Sequence, residues 1–416
     1  MPLLVICYII AYLDRVNVGF AKLEMQQDLG MSDVVYGIGA GIFFIGYFLF
    51  EVPSNIALQR FGARRWIAPI MIIWGIVSSL TMFAKTAEQF YVIRFVLGIF
   101  EAGFFPGVIL YLTYWYPSKY RAKMVSAFMA AIALSGIVGG PVSGWILANA
   151  SGLFGLRGWQ CLFLLEGLPS IVAGLFVYGT LDDNPNKADW LTMEERNLLV
   201  QRLAEDENLK HAQGHSRRSF KDAFTSPAVW LFCLVYFGII MGTYGIGFWL
   251  PQIIQDEITY DFWKIGLLSA IPWMCGAVAM VWNGHHSDKT GERRWHIALP
   301  VIVGSAAFAA SGIPGVTGFY AIIALSLAAA GVMSAISSFW ALPTSILSGT
   351  AAAAGIAWIN SIGNLGGYVS PYVIGKIRDT THEMFYALLV LAAFCLMSGL
   401  IVLFLTRKQF QNSGRL

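Results

Sequence analysis

Charge is what this sequence has least of. Of its 416 residues, 12% are Asp, Glu, Lys or Arg, against about 25% in an ordinary soluble domain, and 57% are hydrophobic. So thin a charged surface excludes a soluble globular enzyme and a disordered chain. Cysteine is equally sparse. Cys7, Cys161, Cys233, Cys275 and Cys395 each lie alone in an apolar run, which excludes a disulfide framework and leaves no metal-ligand spacing. His285 and His286 are adjacent, so they do not converge on an ion. The glycine-rich stretch Gly136-Ile-Val-Gly-Gly-Pro-Val-Ser-Gly144 lacks the lysine and the strand–turn–helix setting of a nucleotide loop. Without such a loop there is no engine for ATP-driven pumping. No cofactor, no metal and no nucleic-acid partner is expected.

What fills the chain instead is long apolar segments. A helix needs roughly 20 apolar residues to cross the hydrocarbon of a bilayer. Twelve segments qualify, at about 2–24, 34–56, 66–84, 89–113, 123–148, 159–180, 228–250, 264–283, 296–312, 317–346, 351–373 and 382–405. They are too long for barrel strands of ~10 residues. The expected fold class is an all-α polytopic membrane protein, with twelve transmembrane helices in two pseudo-symmetric six-helix bundles. The expected divisions are a first bundle at 1–180, a cytoplasmic linker at 181–227, a second bundle at 228–405 and a cytoplasmic tail at 406–416. Asp14, Arg15 and Asn17 interrupt the first segment, so it reads as a retained helix and not a cleaved signal. That leaves room for a cytoplasmic leader ahead of it. In the linker, Thr192-Met-Glu-Glu195 has the form of a capping box opening a short surface helix to about residue 207.

With the N-terminus inside, nineteen Lys and Arg residues fall at inside loops and six at outside ends. The bias predicts cytoplasmic termini. The two halves echo each other. Asn55-Ile-Ala-Leu-Gln-Arg-Phe-Gly-Ala-Arg-Arg65 follows the second segment, and Gly284-His-His-Ser-Asp-Lys-Thr-Gly-Glu-Arg-Arg294 follows the eighth. Each sets a basic residue, a glycine and two arginines at matching spacing, which makes Arg60, Arg64, Asp288, Arg293 and Arg294 candidate gating-loop residues. A repeat at the same ordinal loop implies duplicated bundles, an arrangement suited to alternating access.

Charges inside the predicted spans are Asp14, Arg15, Glu51, Arg94, Glu101 and Glu166, all in the first half. An ionisable residue at membrane depth is a functional candidate by default. Asp14 and Glu101 are the candidate proton carriers. Arg15 and Arg94 offer guanidinium forks to a carboxylate, and the residues do not decide which of the two binds and which is structural. Burial disfavours a charged carboxylate and a neighbouring arginine favours it. An anion that draws the arginine away therefore promotes protonation, a physical route to symport. Glu51, before Pro53, reads as a gate or loop anchor. Tyr12, Tyr47, Tyr244, Ser337, Trp340 and Asn360 are candidate pocket residues.

These motifs resemble the major facilitator superfamily, and within it the anion:cation symporter branch. The resemblance rests on Asp14-Arg15-Val-Asn17, on Gly46-Tyr-Phe-Leu-Phe-Glu-Val-Pro-Ser-Asn55, on Arg94-Phe-Val-Leu-Gly-Ile-Phe-Glu-Ala-Gly-Phe-Phe-Pro106 and on Trp190-Leu-Thr-Met-Glu-Glu-Arg196. The loop at 284–294 fits the superfamily's loop motif with Asp288 in place, whereas Gln59 stands where the first copy would carry its acid. The resemblance implies a proton-coupled importer of organic anions, similar to bacterial tartrate, phthalate and sugar-acid symporters. It also implies proton-carrying roles for Asp14 and Glu101, modulating or substrate-binding roles for Arg15 and Arg94, and a cavity lined by Tyr12, Tyr47, Trp340 and Asn360.

The expected function is therefore secondary active transport, not catalysis: import of a small organic carboxylate (tartrate-like, sugar acid or aromatic acid) with a proton. The expected setting is a monomer in the bacterial inner membrane. The alternatives are an anion exchanger or uniporter of the same fold, or a non-transporting membrane sensor.

Overall fold

The computed structural model describes residues 1–212, 225–313, 318–346 and 349–413. Part of the predicted linker, 213–224, and the end of the predicted tail, 414–416, lie outside the described residues. Helices joined by short loops make up the described residues, with no strand among them.

Among the described residues, ten helical stretches are long and apolar enough to cross a membrane: Pro2–Asp28, Asp33–Phe61, Ala63–Phe83, Ala87–Trp115, Met124–Asn149, Gly158–Thr180, Pro227–Glu257, Phe262–Thr290, Phe319–Pro343 and Met384–Phe404. Each overlaps a predicted segment. The segments predicted at 296–312 and 351–373 are helical as well, but fall short of that length or apolarity.

Several stretches are interrupted. The first consists of α1 (Pro2–Val16) and α2 (Val18–Asp28), parted at Asn17. Next come α3 (Asp33–Phe61) and α4 (Ala63–Leu80). The fourth stretch breaks at Ala102 and Gly103, between α5 (Ala87–Glu101) and α6 (Phe104–Trp115). The fifth, predicted as continuous, breaks at Ala130 between α7 (Ser118–Met129) and α8 (Ala131–Asn149), and α9 (Gly158–Thr180) follows. The linker carries α10 (Met193–Ala212), opened by the expected box. Glu195 N donates to Thr192 Oγ1 at 3.2 Å, and Thr192 N donates to Glu195 Oε2 at 3.0 Å. The Thr192 backbone N–H and then its hydroxyl, both donating to the Glu195 carboxylate, hold it below its ordinary range.

The remaining helices are α11 (Pro227–Glu257), α12 (Phe262–Thr290), α13 (Arg294–Ser311), α14 (Phe319–Phe339), α15 (Ala341–Ile346), α16 (Gly349–Asn364), α17 (Gly366–Thr381) and α18 (Met384–Ser413). The last continues into what the sequence suggests is a tail.

Two contacts between segments distant in sequence organise the assembly: α3 packs on α17, and α8 packs on α12. Between lipid-embedded helices the drive to pack is van der Waals contact, so small residues that let backbones meet are favoured. A Cβ added at Gly375 would stand 2.2 Å from Asp33 O, and one at Gly37 would stand 2.2 Å from Pro371 O. On the other seam, Gly140, Gly144 and Gly266 meet in the same way. Gly375→Val is accordingly expected to force α17 off α3 and to destabilise the fold by roughly 1–3 kcal/mol. A melting curve of the purified variant in detergent checks this, and an unchanged midpoint would mean that the seam tolerates separation.

Candidate functional site

Two interrupted helices bring the central charges together. Arg15 lies in the last turn of α1 and Glu101 ends α5, just before its break. Arg15 Nε donates to Glu101 Oε1 at 2.9 Å, and Nη2 donates to the same oxygen. Its third nitrogen, Nη1, donates to Tyr244 Oη at 2.8 Å, across from α11. The guanidinium also sits 5.2–5.5 Å from the ring centroids of Tyr12, Phe43 and Tyr47, within cation–π range. Arg15 is 6% exposed and Glu101 is 1% exposed. One Glu101 oxygen, Oε2, is buried without a hydrogen-bond partner.

Arg94 has a different task. It is fully buried, and its Nη2 donates to the carbonyls of Arg15 at 3.2 Å and Ala40 at 3.4 Å. The last carbonyls of a helix lack intrahelical partners. Arg94 therefore caps the end of α1 and steadies Arg15 from behind.

A narrow cavity of about 40 Å³ opens beside this pair, with Tyr12, Arg15, Tyr47, Tyr244 and Asn360 in its wall. Four of the sequence-derived pocket residues thus gather around Arg15, together with Tyr236 and Thr243, which sequence reasoning missed. The volume holds a few waters and no dicarboxylate, so the helices must part to admit one. Trp340 stands behind the wall, its ring 4.9 Å from that of Tyr236. Ser337 does not join: its hydroxyl donates to Ser334 O at 2.8 Å on its own helix.

Asp14 stands apart. Neighbouring residues on a helix diverge by about 100°, so Arg15 faces the cavity while Asp14 faces α4 and α9. There it is fully buried and accepts from Ser78 Oγ at 3.0 Å and from Ser170 Oγ. The structure does not bring Asp14 to Glu101.

Glu51 is tied across the molecule, not to a loop. Its carboxylate accepts from Asn360 Nδ2 at 2.7 Å and Ser361 Oγ at 3.0 Å, joining α3 to α16. In the repeated loops, Arg293 Nη1 reaches Asp288 Oδ1 at 2.6 Å and Arg294 Nη2 donates to Leu403 O at 2.8 Å. The first loop lacks that acid at Gln59, and Asp183 supplies one from beyond α9 by accepting from Arg64 N at 3.0 Å. Arg60 is exposed, its guanidinium 5.8 Å from the ring centroid of Phe61.

A further cluster went unseen in the sequence. Lys22, assigned there to an outside end, has a side chain with no exposure. Its Nζ contacts Asp33 Oδ1 at 2.8 Å and Gln252 Oε1 at 3.0 Å, and lies 4.1 Å from the Trp249 ring centroid. Arg378 Nε meets Asp33 Oδ2 and Arg378 Nη2 meets Asp256 Oδ2, both at 3.0 Å. Asp379 accepts from the backbone N–H groups of Asp33 and Val34, at the start of α3. Ends of α2, α3, α11 and α17 are thereby locked together.

Comparison with known proteins agrees with this architecture. A profile of the Major Facilitator Superfamily matches residues 4–371. A protein of Agrobacterium vitis named for tartrate transport is 46% identical over 419 residues, covering 100% of this chain and 94% of its own length. The inner membrane transport protein RhmT of Escherichia coli is 36% identical, covering 97% of this chain and 92% of its own. Among solved structures, an inward-facing, occupied bacterial homologue of the human lysosomal transporter Spinster aligns with a TM-score of 0.77 at 16% identity, over 97% of this chain and 96% of that one, which speaks for the fold alone. The chain belongs to the major facilitator superfamily, as a polytopic membrane transport protein.

Proposed function

We propose that the chain is a secondary active transporter that imports a small organic carboxylate together with a proton. The proposed architecture is twelve spans in two six-helix bundles, 1–180 and 228–405, with both termini in the cytoplasm of a bacterium. The observation that carries the reading is the sharing of one guanidinium. Arg15 holds Glu101 on one side and Tyr244 of α11 on the other, at the edge of the cavity.

A substrate carboxylate entering that cavity competes with Glu101 for the Arg15 fork. Glu101, released, takes a proton from hydronium onto a carboxylate oxygen, leaving water. For a cargo with one ionised carboxylate the loaded site then carries the same net charge as the empty one, because the anion's negative charge replaces the one that the proton neutralised; a dianion keeps that balance only with a second proton. Tyr12, Tyr47, Tyr244 and Asn360 offer hydroxyl and amide groups to the rest of a hydroxy acid. The name of the Agrobacterium vitis relative favours a tartrate-like dicarboxylate, with sugar acids and aromatic acids as the other classes to try.

Purified protein is first screened by thermal shift against a panel of these acids. A binder present at about 100 times its Kd adds about 2.7 kcal/mol to stability. The best binder is then offered to reconstituted vesicles under an inward proton gradient. Accumulation of the anion with matching proton entry is the expected result. Flux that needs an internal counter-anion and ignores the pH gradient would make the protein an exchanger and overturn the coupling.

A further inference from the structure

Away from the central pair lies a further buried carboxyl that the transport reading leaves unused. Glu166, on α9, is 3% exposed, and no cation contacts it among the described residues. Its Oε1 accepts from Ser143 Oγ of α8 at 2.7 Å, and its Oε2 has no partner. On the other side of Ser143 is a cavity of about 20 Å³ between α1, α8, α11 and α12, into which Asn17, Ser143 and Ser269 project. That volume suits one water, provided polar partners line it. The partners exist: the Asn17 amide and Ser269 Oγ are buried at its wall, Ser269 Oγ lacks a hydrogen-bond partner, and the Asn17 amide also lies within reach of the Glu166 carboxyl. Buried polar atoms with no partner are costly unless something joins them.

We propose that Glu166 is a second protonation site, served by a water held among Asn17, Ser143 and Ser269. The relay balances. A hydronium in the cavity gives a proton to Ser143 Oγ, the Ser143 hydroxyl passes its own proton to Glu166 Oε1, and a neutral water remains. The titratable neighbour is Asp14 of α1, bonded to Ser170 one turn along α9 from Glu166. Glu24 and Asp28 of α2 meet α9 only at its opposite end, through Trp159. From α4 and α8 the polar groups here are the hydroxyls of Ser78 and Ser143. Because the cavity lies on the seam between α8 and α12, opening that seam changes the access of Glu166 to water. Proton uptake there is thereby linked to the same motion that would carry cargo.

The inference rests on the proton-coupled reading, but its test needs no substrate. Infrared spectra of the purified protein are followed in the carboxylic-acid C=O region as the pH is lowered, in water and in D2O. Wild type is expected to gain a band that shifts in D2O and is missing in Glu166→Gln. Ser143→Ala, which keeps the acid and removes its donor, should move the band's frequency. The same pH-dependent band in wild type and Glu166→Gln, with Ser143→Ala unchanged, overturns the proposal. So does loss of the wild-type band on replacing choline chloride with sodium chloride, which would make the site a sodium ligand. Vesicles in which the anion moves without protons would instead sink the transport reading, leaving the infrared result intact.

Discussion

Glu101→Gln is expected to abolish accumulation of the anion under a proton gradient, leaving only equilibration, while anion binding survives and strengthens. The argument follows from the single fork at Arg15. In the wild type the cargo must displace Glu101 from two guanidinium nitrogens, Nε and Nη2. With glutamine there, the competitor is neutral and Arg15 lacks a counter-charge in a buried site. Breaking such a pair costs on the order of 3–5 kcal/mol. A bound carboxylate recovers part of that cost, so its stabilising effect on the melting temperature should exceed the wild-type effect. The proton carrier, however, is gone. Two measurements on one preparation decide it: substrate-evoked proton entry in vesicles, and the thermal shift in detergent. Unaltered proton entry would exclude Glu101 as the carrier and return attention to Asp14. The distinction is physical, because Asp14 contacts serine hydroxyls and no arginine, and a cargo at Arg15 takes no hydrogen-bond partner from it.

Much of this site was legible because membrane burial makes charge conspicuous. Arg15, Glu101 and Glu51 announce themselves as expensive residues within apolar runs, and each has a polar partner on another helix. Angular position was harder to see. Asp14 and Arg15 look like a unit in the sequence, yet adjacency on a helix sends them to different neighbours. The breaks at Ala102–Gly103 and Ala130 were invisible for another reason. Hydropathy averages over a window, and these residues leave the average unchanged.

Lys22 shows a third limit. A lysine near the end of an apolar segment reads as an interfacial anchor. Here the helix continues to Asp28, and Gln252, Asp33 and two aromatic rings close over the ammonium. Those partners come from α3 and α11, and no local pattern records them. The acid missing at Gln59 is a similar case, since Asp183 supplies it from more than a hundred residues away.

The Lys22 cluster leads to the second large effect. Asp33→Asn is expected to release the end of the molecule at which Lys22, Asp256 and Arg378 meet, and to expose the central cavity from that side. Asp33 neutralises two cations at once, Lys22 through Oδ1 and Arg378 through Oδ2. Asparagine leaves the fully buried Lys22 ammonium with the neutral Gln252 oxygen and ring faces. Conformers of a switching protein differ by only a few kcal/mol. Losing a buried pair worth about 3 kcal/mol shifts such an equilibrium by about a hundredfold. The readout is chemical access to Thr243→Cys in the cavity wall, in a background where the exposed Cys275 is serine. In right-side-out vesicles an impermeant thiol reagent should label that cysteine at least about tenfold faster once Asp33 is replaced. Asp256→Asn breaks only the Arg378 Nη2 contact and should fall between the two. If all three proteins are labelled at one rate, the cluster is a brace that stays shut while cargo moves, and the passage opens elsewhere. A graded series makes these five side chains the bar across that mouth of the passage, tuned so that one carboxylate holds two cations and its neutralisation frees both.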